Sequence, residues 1–188
     1  MCGIAGFVNY HNSDHLVREV NRLQAHRGPD HQGSWIHDNV AFAHQRLSII
    51  DLSERSNQPF VKDDITIVFN GEIYNYHEIK AKLENQHGVR FTTSGDTEVA
   101  LEAYRHWGKD CLQHFIGMFA FAAHNQRSNV LFLARDHFGI KPLYYTLQNN
   151  QFAFASELKT LIKTAGATNS INSFSLLASL NYLWVPGN

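Results

Sequence analysis

Cysteine is scarce in this chain. Only Cys2 and Cys111 occur among 188 residues, and their spacing suits neither a disulfide framework nor a zinc site. A reducing, cytoplasmic setting is therefore expected, one that would also keep Cys2 as a free thiol. Charge of one sign is lacking too. Sixteen Lys and Arg face seventeen Asp and Glu, for a net charge of -1, so no basic field invites nucleic acid. No apolar run approaches the ~18 residues of a membrane span. The N-terminus has no basic start followed by an apolar stretch, which argues against a signal peptide. No internal repeat, low-complexity tract or linker interrupts the chain. Histidine alone is abundant, with twelve copies. His11, His15, His26, His31 and His37 fall at irregular intervals in loop-like context, without a paired-histidine motif, so no metal is expected. With 44% hydrophobic and 18% charged residues, the chain reads as one globular domain with a substantial core.

The first seven residues, Met1-Cys2-Gly3-Ile4-Ala5-Gly6-Phe7, hold the main chemical signal. If Met1 is removed, Cys2 carries a thiol and a free α-amine on one residue. Their ordinary pKa values, about 8.5 and about 7.7–8.0, allow one to take the other's proton near neutral pH. The plain alternative is a small buried side chain on the strand that begins at Ile4.

Hydrophobic spacing predicts strands at Ile4–Asn9, Val40–Ala43 and Ile65–Phe69, and helices at His15–Gln24, Tyr76–Gln86 and Val99–Trp107. Asp14 is the expected cap of the first helix. His26-Arg27-Gly28-Pro29-Asp30 reads as a turn. Four aromatic-rich strands follow, Met118–His124, Val130–Ala134, Leu143–Thr146 and Phe152–Ser156. The gaps between them are too short for helical crossovers, so antiparallel pairing is expected. Phe119, Phe121, Phe132, Tyr144 and Phe154 read as core. Glu157–Lys163 and Ser173–Trp184 read as closing helices. Blocks of strand and helix in this order favour α+β over regular βαβ units.

Three further segments suggest a site. Arg46 stands just before Leu47-Ser48-Ile49-Ile50-Asp51, either as an exposed edge residue or as a guanidinium aimed at a carboxylate. Asn70-Gly71-Glu72-Ile73-Tyr74-Asn75 opens with the strongest short hairpin signal. The helical pattern beginning at Tyr76 argues against a hairpin, and a turn that presents an Asn amide and a Gly N–H together can serve as an oxyanion hole. Asp96 could cap the helix that follows it, or spend its carboxylate on a ligand's ammonium group.

Taken together and in order, these segments resemble the class II glutamine amidotransferase domain. They are Cys2-Gly3-Ile4, His26–Asp30, Arg46–Asp51, Asn70–Asn75, Ser94-Gly95-Asp96 and the Arg135–Tyr145 stretch. More narrowly, they resemble the N-terminal glutaminase domain of glutamine-dependent asparagine synthetases. The resemblance implies an N-terminal-nucleophile hydrolase fold, a four-layer sandwich of two stacked antiparallel sheets between helical layers, over residues 2–188. It implies Cys2 as nucleophile, with Asn70 and Gly71 forming the oxyanion hole. Arg46 would grip the carboxylate of L-glutamine and Asp96 its ammonium, with Glu72 and the backbone of Leu47, Ser48, Ile49 and Ile50 completing the pocket. His26 and Arg27 would build the pocket without entering the reaction. No cofactor is implied here. ATP and Mg belong to a C-terminal synthetase domain that this sequence does not contain and that would be its partner, with a homo-oligomer as a further possibility.

Overall fold

The computed structural model describes residues 1–167, 170–183 and 185. In chain order the elements are β1 (Gly3–Val8), α1 (Ser13–Leu23), β2 (His31–His37), β3 (Val40–Arg46), β4 (Phe60–Lys62) and β5 (Ile65–Ile73). Then come α2 (Tyr76–His87), α3 (Asp96–Trp107), β6 (Gly117–Asn125), β7 (Val130–Arg135), β8 (Tyr144–Gln148), β9 (Gln151–Ala155), α4 (Leu158–Thr164) and α5 (Ser173–Tyr182). The expected C-terminal helix thus stops at Tyr182, and Trp184 lies outside the described residues.

The strands form two sheets, ordered β2-β3-β1-β9-β8 and β4-β5-β6-β7. Neighbours in both are antiparallel, as the short connections predict. The four aromatic strands are divided between the sheets, β6 and β7 in one and β8 and β9 in the other. Successive side chains on a strand point to opposite faces, and that alternation builds the layers. Ile4, Val40, Phe42 and Phe154 meet Val68, Ala120 and Ala122 between the sheets. Ala5, Phe7, Ala41 and Ala43 point the other way, against Val17 and Val20 of α1 and Leu161 of α4. Ile65, Ile67, Phe69, Phe119 and Phe121 face Ile79 and Leu83 of α2 and Val99 and Leu101 of α3. The result is helix, sheet, sheet, helix. Full burial of each Val, Leu, Ile or Phe among them contributes roughly 1.5–3 kcal/mol. Cys111 is wholly buried in the third cluster, and burial pushes its thiol up to about 12.

Several local expectations are corrected. Asp14 is not the cap of α1. Asn12 is, in the left-handed conformation and without a side-chain bond. Tyr144 is not core, because β8 is an edge strand and leaves it exposed. His31 and His37 lie in β2 rather than in loops. That strand alternates half-buried and exposed residues, and its polar composition hides it from a hydrophobicity reading. The largest change concerns Asn70-Gly71. They do not turn. β5 runs straight through them to Ile73, and the chain reverses only at Tyr74-Asn75.

Candidate active site

At one end of the layer between the sheets the apolar residues give way to polar ones in the same register. Cys2 lies just before β1, two residues from Ile4, His44 and Arg46 follow Phe42 on β3, and Asn70 and Glu72 follow Val68 on β5. With a period of two, these side chains share the face of the residues that pack the inner core. A cavity opens there, lined by Cys2, Arg46, Leu47, Ile49, Ile50, Asn70, Gly71, Glu72 and Asp96. Ser48 does not line it. Its N–H donates to Asp30 Oδ2 at 2.7 Å.

The thiol is held by one peptide segment. Cys2 Sγ donates to Leu47 O at 3.6 Å and accepts from Leu47 N–H at 3.4 Å. Arg27 Nε donates to the Cys2 carbonyl at 3.0 Å, and Arg27 Nη1 reaches Glu157 at 3.2 Å. Burial pushes the Cys2 thiol up, and the Leu47 bond, the N-terminal charge and Arg46 act against that rise. Met1 also lines the cavity, so its removal would place the Cys2 α-amine at the same wall.

The straight course of β5 makes a row of donors. The β4–β5 ladder ends at Phe60↔Ile67, so beyond it one edge of β5 faces outward. On an antiparallel strand every second residue directs its N–H to the same edge. Phe69 N–H donates to Gln58 Oε1 at 2.6 Å and Ile73 N–H to Asp96 Oδ2 at 3.0 Å. Gly71 N–H lies between them with the same direction, and Gly71 lines the cavity. A Cβ on Gly71 would stand 2.2 Å from Met118 O, so only glycine fits there. Asn70 Nδ2 is buried, and among the described residues it has no hydrogen-bond partner. A buried donor left unsatisfied costs about 1–3 kcal/mol, and native interiors keep few of them.

The charged groups divide into those already engaged and those left open. Arg46 Nη1 donates to Ser53 O at 2.9 Å and Asn57 Oδ1 at 2.7 Å, and Nη2 donates to Asp51 O. Arg46 thus fastens the loop that follows it, and two of its five N–H groups stay open. Asp51 accepts from Ser53 and Ser94. Burial alone would raise its pKa, but these bonds hold the carboxyl below the usual range. Asp30 N–H donates to Arg46 O at 3.0 Å. A Cβ on Gly28 would stand 2.4 Å from the Arg46 carbonyl carbon. The turn at 26–30 is thereby packed against the wall of the cavity.

Asp96 is the first residue of α3, with Gly95 as the cap and no capping bond from a side chain. Its carboxylate is buried, and among the described residues no cation pairs with it. Burial raises its pKa to about 6, and the nearby Glu72 charge adds to the rise, against backbone bonds such as that from Ile73. Two carboxylates at one wall, neither in an ion pair among the described residues, suit a ligand's ammonium group.

Residues 1–188 match the glutamine amidotransferase domain family model. The chain belongs to that family. Within it, this amidotransferase domain is 43% identical to asparagine synthetase [glutamine-hydrolyzing] 1 of Bacillus subtilis (strain 168), over 99% of this chain and 30% of that protein. It is 39% identical to amidase chry2 of Gibberella zeae, over 86% of this chain and 26% of that one. The domain therefore spans about a third or less of the length of these relatives. The solved glutamine phosphoribosylpyrophosphate amidotransferase from B. subtilis, complexed with ADP and GMP, superimposes with a TM-score of 0.71 at 22% identity. The match covers 89% of this chain and 44% of that one. The amidotransferase domain thus has the N-terminal-nucleophile hydrolase fold that its two sheets and helical layers describe.

Several residues that line this cavity give no signal in the sequence. Gln58, Ser56, Thr97 and Lys141 also line the cavity. Lys141 is set there by its neighbours. Asp136 accepts from the N–H groups of Phe119, Phe138, Ile140 and Lys141, and Arg135 Nε donates to Lys141 O at 2.7 Å. An Asp followed by Gly139 and Pro142 is a turn signal, but nothing in it indicates the cavity. Among the described residues no three His, Cys, Asp or Glu side chains come close enough to hold a metal ion. No helix of those residues is long and apolar enough to cross a membrane.

Proposed function

We propose that this domain hydrolyses the side-chain amide of L-glutamine to glutamate and ammonia through a thioester on Cys2. The observation that carries the reading is the orphaned Asn70 Nδ2, buried without a partner in the cavity that holds the Cys2 thiol. An unsatisfied donor beside a nucleophile is what a developing oxyanion needs.

The steps balance as follows. With Met1 removed, the Cys2 α-amine takes the thiol proton, directly or through a water. The thiolate attacks the amide carbon, and negative charge forms on the amide oxygen, which accepts from Asn70 Nδ2 and Gly71 N–H. The protonated amine gives its proton to the departing nitrogen, and ammonia leaves. Water then cleaves the thioester, releasing glutamate and restoring the thiol. Asp96, with Glu72 beside it, receives the substrate ammonium. The open N–H groups of Arg46 receive the carboxylate.

In the complete protein the ammonia would feed ATP-dependent asparagine synthesis from aspartate, by analogy with the B. subtilis relatives. The similar identity to a fungal protein named as an amidase favours a second reading, in which the acceptor is a different carboxylate and the glutaminase step is unchanged.

A substrate panel tests the pocket. Free glutamine should exceed N-acetylglutamine and glutamine α-amide in kcat/KM by about 100-fold or more, because each analogue leaves one buried charge without its partner. Equal turnover of the three would reject a free amino acid as the substrate.

A further inference from the structure

We propose that His44 is a positioning residue for this reaction, holding the peptide that carries Asn70 so that the oxyanion donors meet the nucleophile. The inference rests on the glutaminase reading above.

His44 is wholly buried between the sheets. It pairs with Ile4 on β1, and Gln45 beside it pairs with Gly3. One side of His44 is therefore fixed to the strand that carries Cys2. Its Nε2 lies 3.2 Å from Phe69 O in the opposite sheet. A carbonyl oxygen can only accept, so Nε2 carries the proton and Nδ1 is bare. Among the described residues Nδ1 has no partner. Burial, aided by the charges of Arg46 and His31 and opposed by the bond to Phe69 O, lowers the His44 pKa to about 3. The ring is thus a neutral donor of one tautomer throughout the neutral range.

The place of this bond gives it meaning. Beyond Ile67 no strand among the described residues covers the outer edge of β5. Phe69 would there expose both an N–H and a C=O, and each is met by a buried side chain. Gln58 Oε1 takes the N–H and His44 gives to the C=O. The Phe69 carbonyl belongs to the peptide group whose nitrogen is that of Asn70. His44 and Gln58 therefore clamp β5 one residue before the proposed oxyanion donors, in place of the missing ladder. His44 does not line the cavity, so it acts through Asn70 and not on the substrate. A displacement of about 1 Å at a reacting group can cost about 100-fold in rate.

The test compares His44→Gln, which retains an N–H donor at similar reach, with His44→Leu, which retains only bulk. Steady-state glutamine hydrolysis is measured for each, alone and with Asn70→Ala. His44→Leu should lower kcat by about 100-fold and change KM by less than about threefold. His44→Gln should recover most of the loss. In the Asn70→Ala background His44→Leu should cost little more, because its effect passes through the same donor. Equal loss in the Leu and Gln variants, a matching rise in KM, or full additivity with Asn70→Ala would overturn the proposal. Nitrogen NMR of the unmodified protein reads the same claim without relying on the variants to fold. His44 should show a proton on Nε2 and none on Nδ1, and a proton on Nδ1 would overturn it. A Cys2→Ala control separates the two readings. Turnover surviving in that variant would defeat the glutaminase mechanism itself, whereas its loss with a fully active His44→Leu would defeat only the role of His44.

Discussion

Replacing Asn70 by alanine is expected to lower kcat for glutamine hydrolysis by about 100- to 1000-fold, equivalent to roughly 2.7–4 kcal/mol of transition-state stabilisation. KM should move far less, because charge on the amide oxygen develops only as the thiolate attacks. Stability should move in the opposite sense to a usual core truncation. Asn70 Nδ2 has no partner to lose, and removing an unsatisfied buried donor relieves its desolvation cost. The variant should therefore melt at the same temperature as the parent or higher. Steady-state kinetics with a thermal melt checks both halves. Undiminished kcat would remove Asn70 from the reaction. A large drop in melting temperature would mean that its amide serves the fold instead.

Asp96→Asn is expected to separate stability from function in the same way, with a pH signature. The carboxyl has a pKa of about 6 in the folded domain and about 3.9 in an unfolded chain. Between those values the folded state holds more protons, so stability falls as pH rises from about 4 to about 6 and stays lowered above. A shift of about two units amounts to at most ~3 kcal/mol. Asparagine does not titrate, and its Oδ1 can still accept from Ile73 N–H. The variant should thus be more stable than the parent above pH ~6 and no more stable below pH ~4. Its KM for glutamine should rise by about 100-fold, since the ammonium loses its counter-charge. In the parent, KM should rise as pH falls through about 6, when protonation of Asp96 competes with the substrate. Denaturant melts at several pH values and a KM profile provide the check. An Asp96→Asn variant with unchanged KM would break the proposed link to the ammonium.

Both expectations depend on features that were only partly legible in the sequence. The thiol at Cys2 and the order of segments were legible because they are local. Cys2 sits against the initiator, and the inner-face alternation of Ile4, Phe42 and Val68 extends directly to Cys2, His44, Arg46 and Asn70. The Asn-Gly pair does line the cavity, but in a conformation other than the expected turn. Its turn propensity is overridden by the β6 ladder, which holds Asn70 opposite Ala120 and Gly71 opposite Phe119. A straight strand then orients the Gly71 N–H that a turn was expected to orient. Asp96 was read as a cap or a ligand group. Its bond to Ile73, 23 residues away, is a tertiary fact that no local pattern contains. Arg46 was read as a clamp on substrate. Three of its five donors also fasten Asp51 O, Ser53 O and Asn57 Oδ1, partners that a linear reading cannot place beside it. The Arg27 bond to the Cys2 carbonyl and the Asp136 bonds around Lys141 were hidden for the same reason, since each joins segments that meet only in the fold.

Glutamate released from free glutamine should be measured for the processed domain and for Cys2→Ala in parallel, with intact mass recording the state of Met1. The expected result is turnover by the chain that has lost Met1 and none by the variant. Equal glutamate release by Cys2→Ala would contradict the account, because the thioester on Cys2 is the step on which every other assigned role depends.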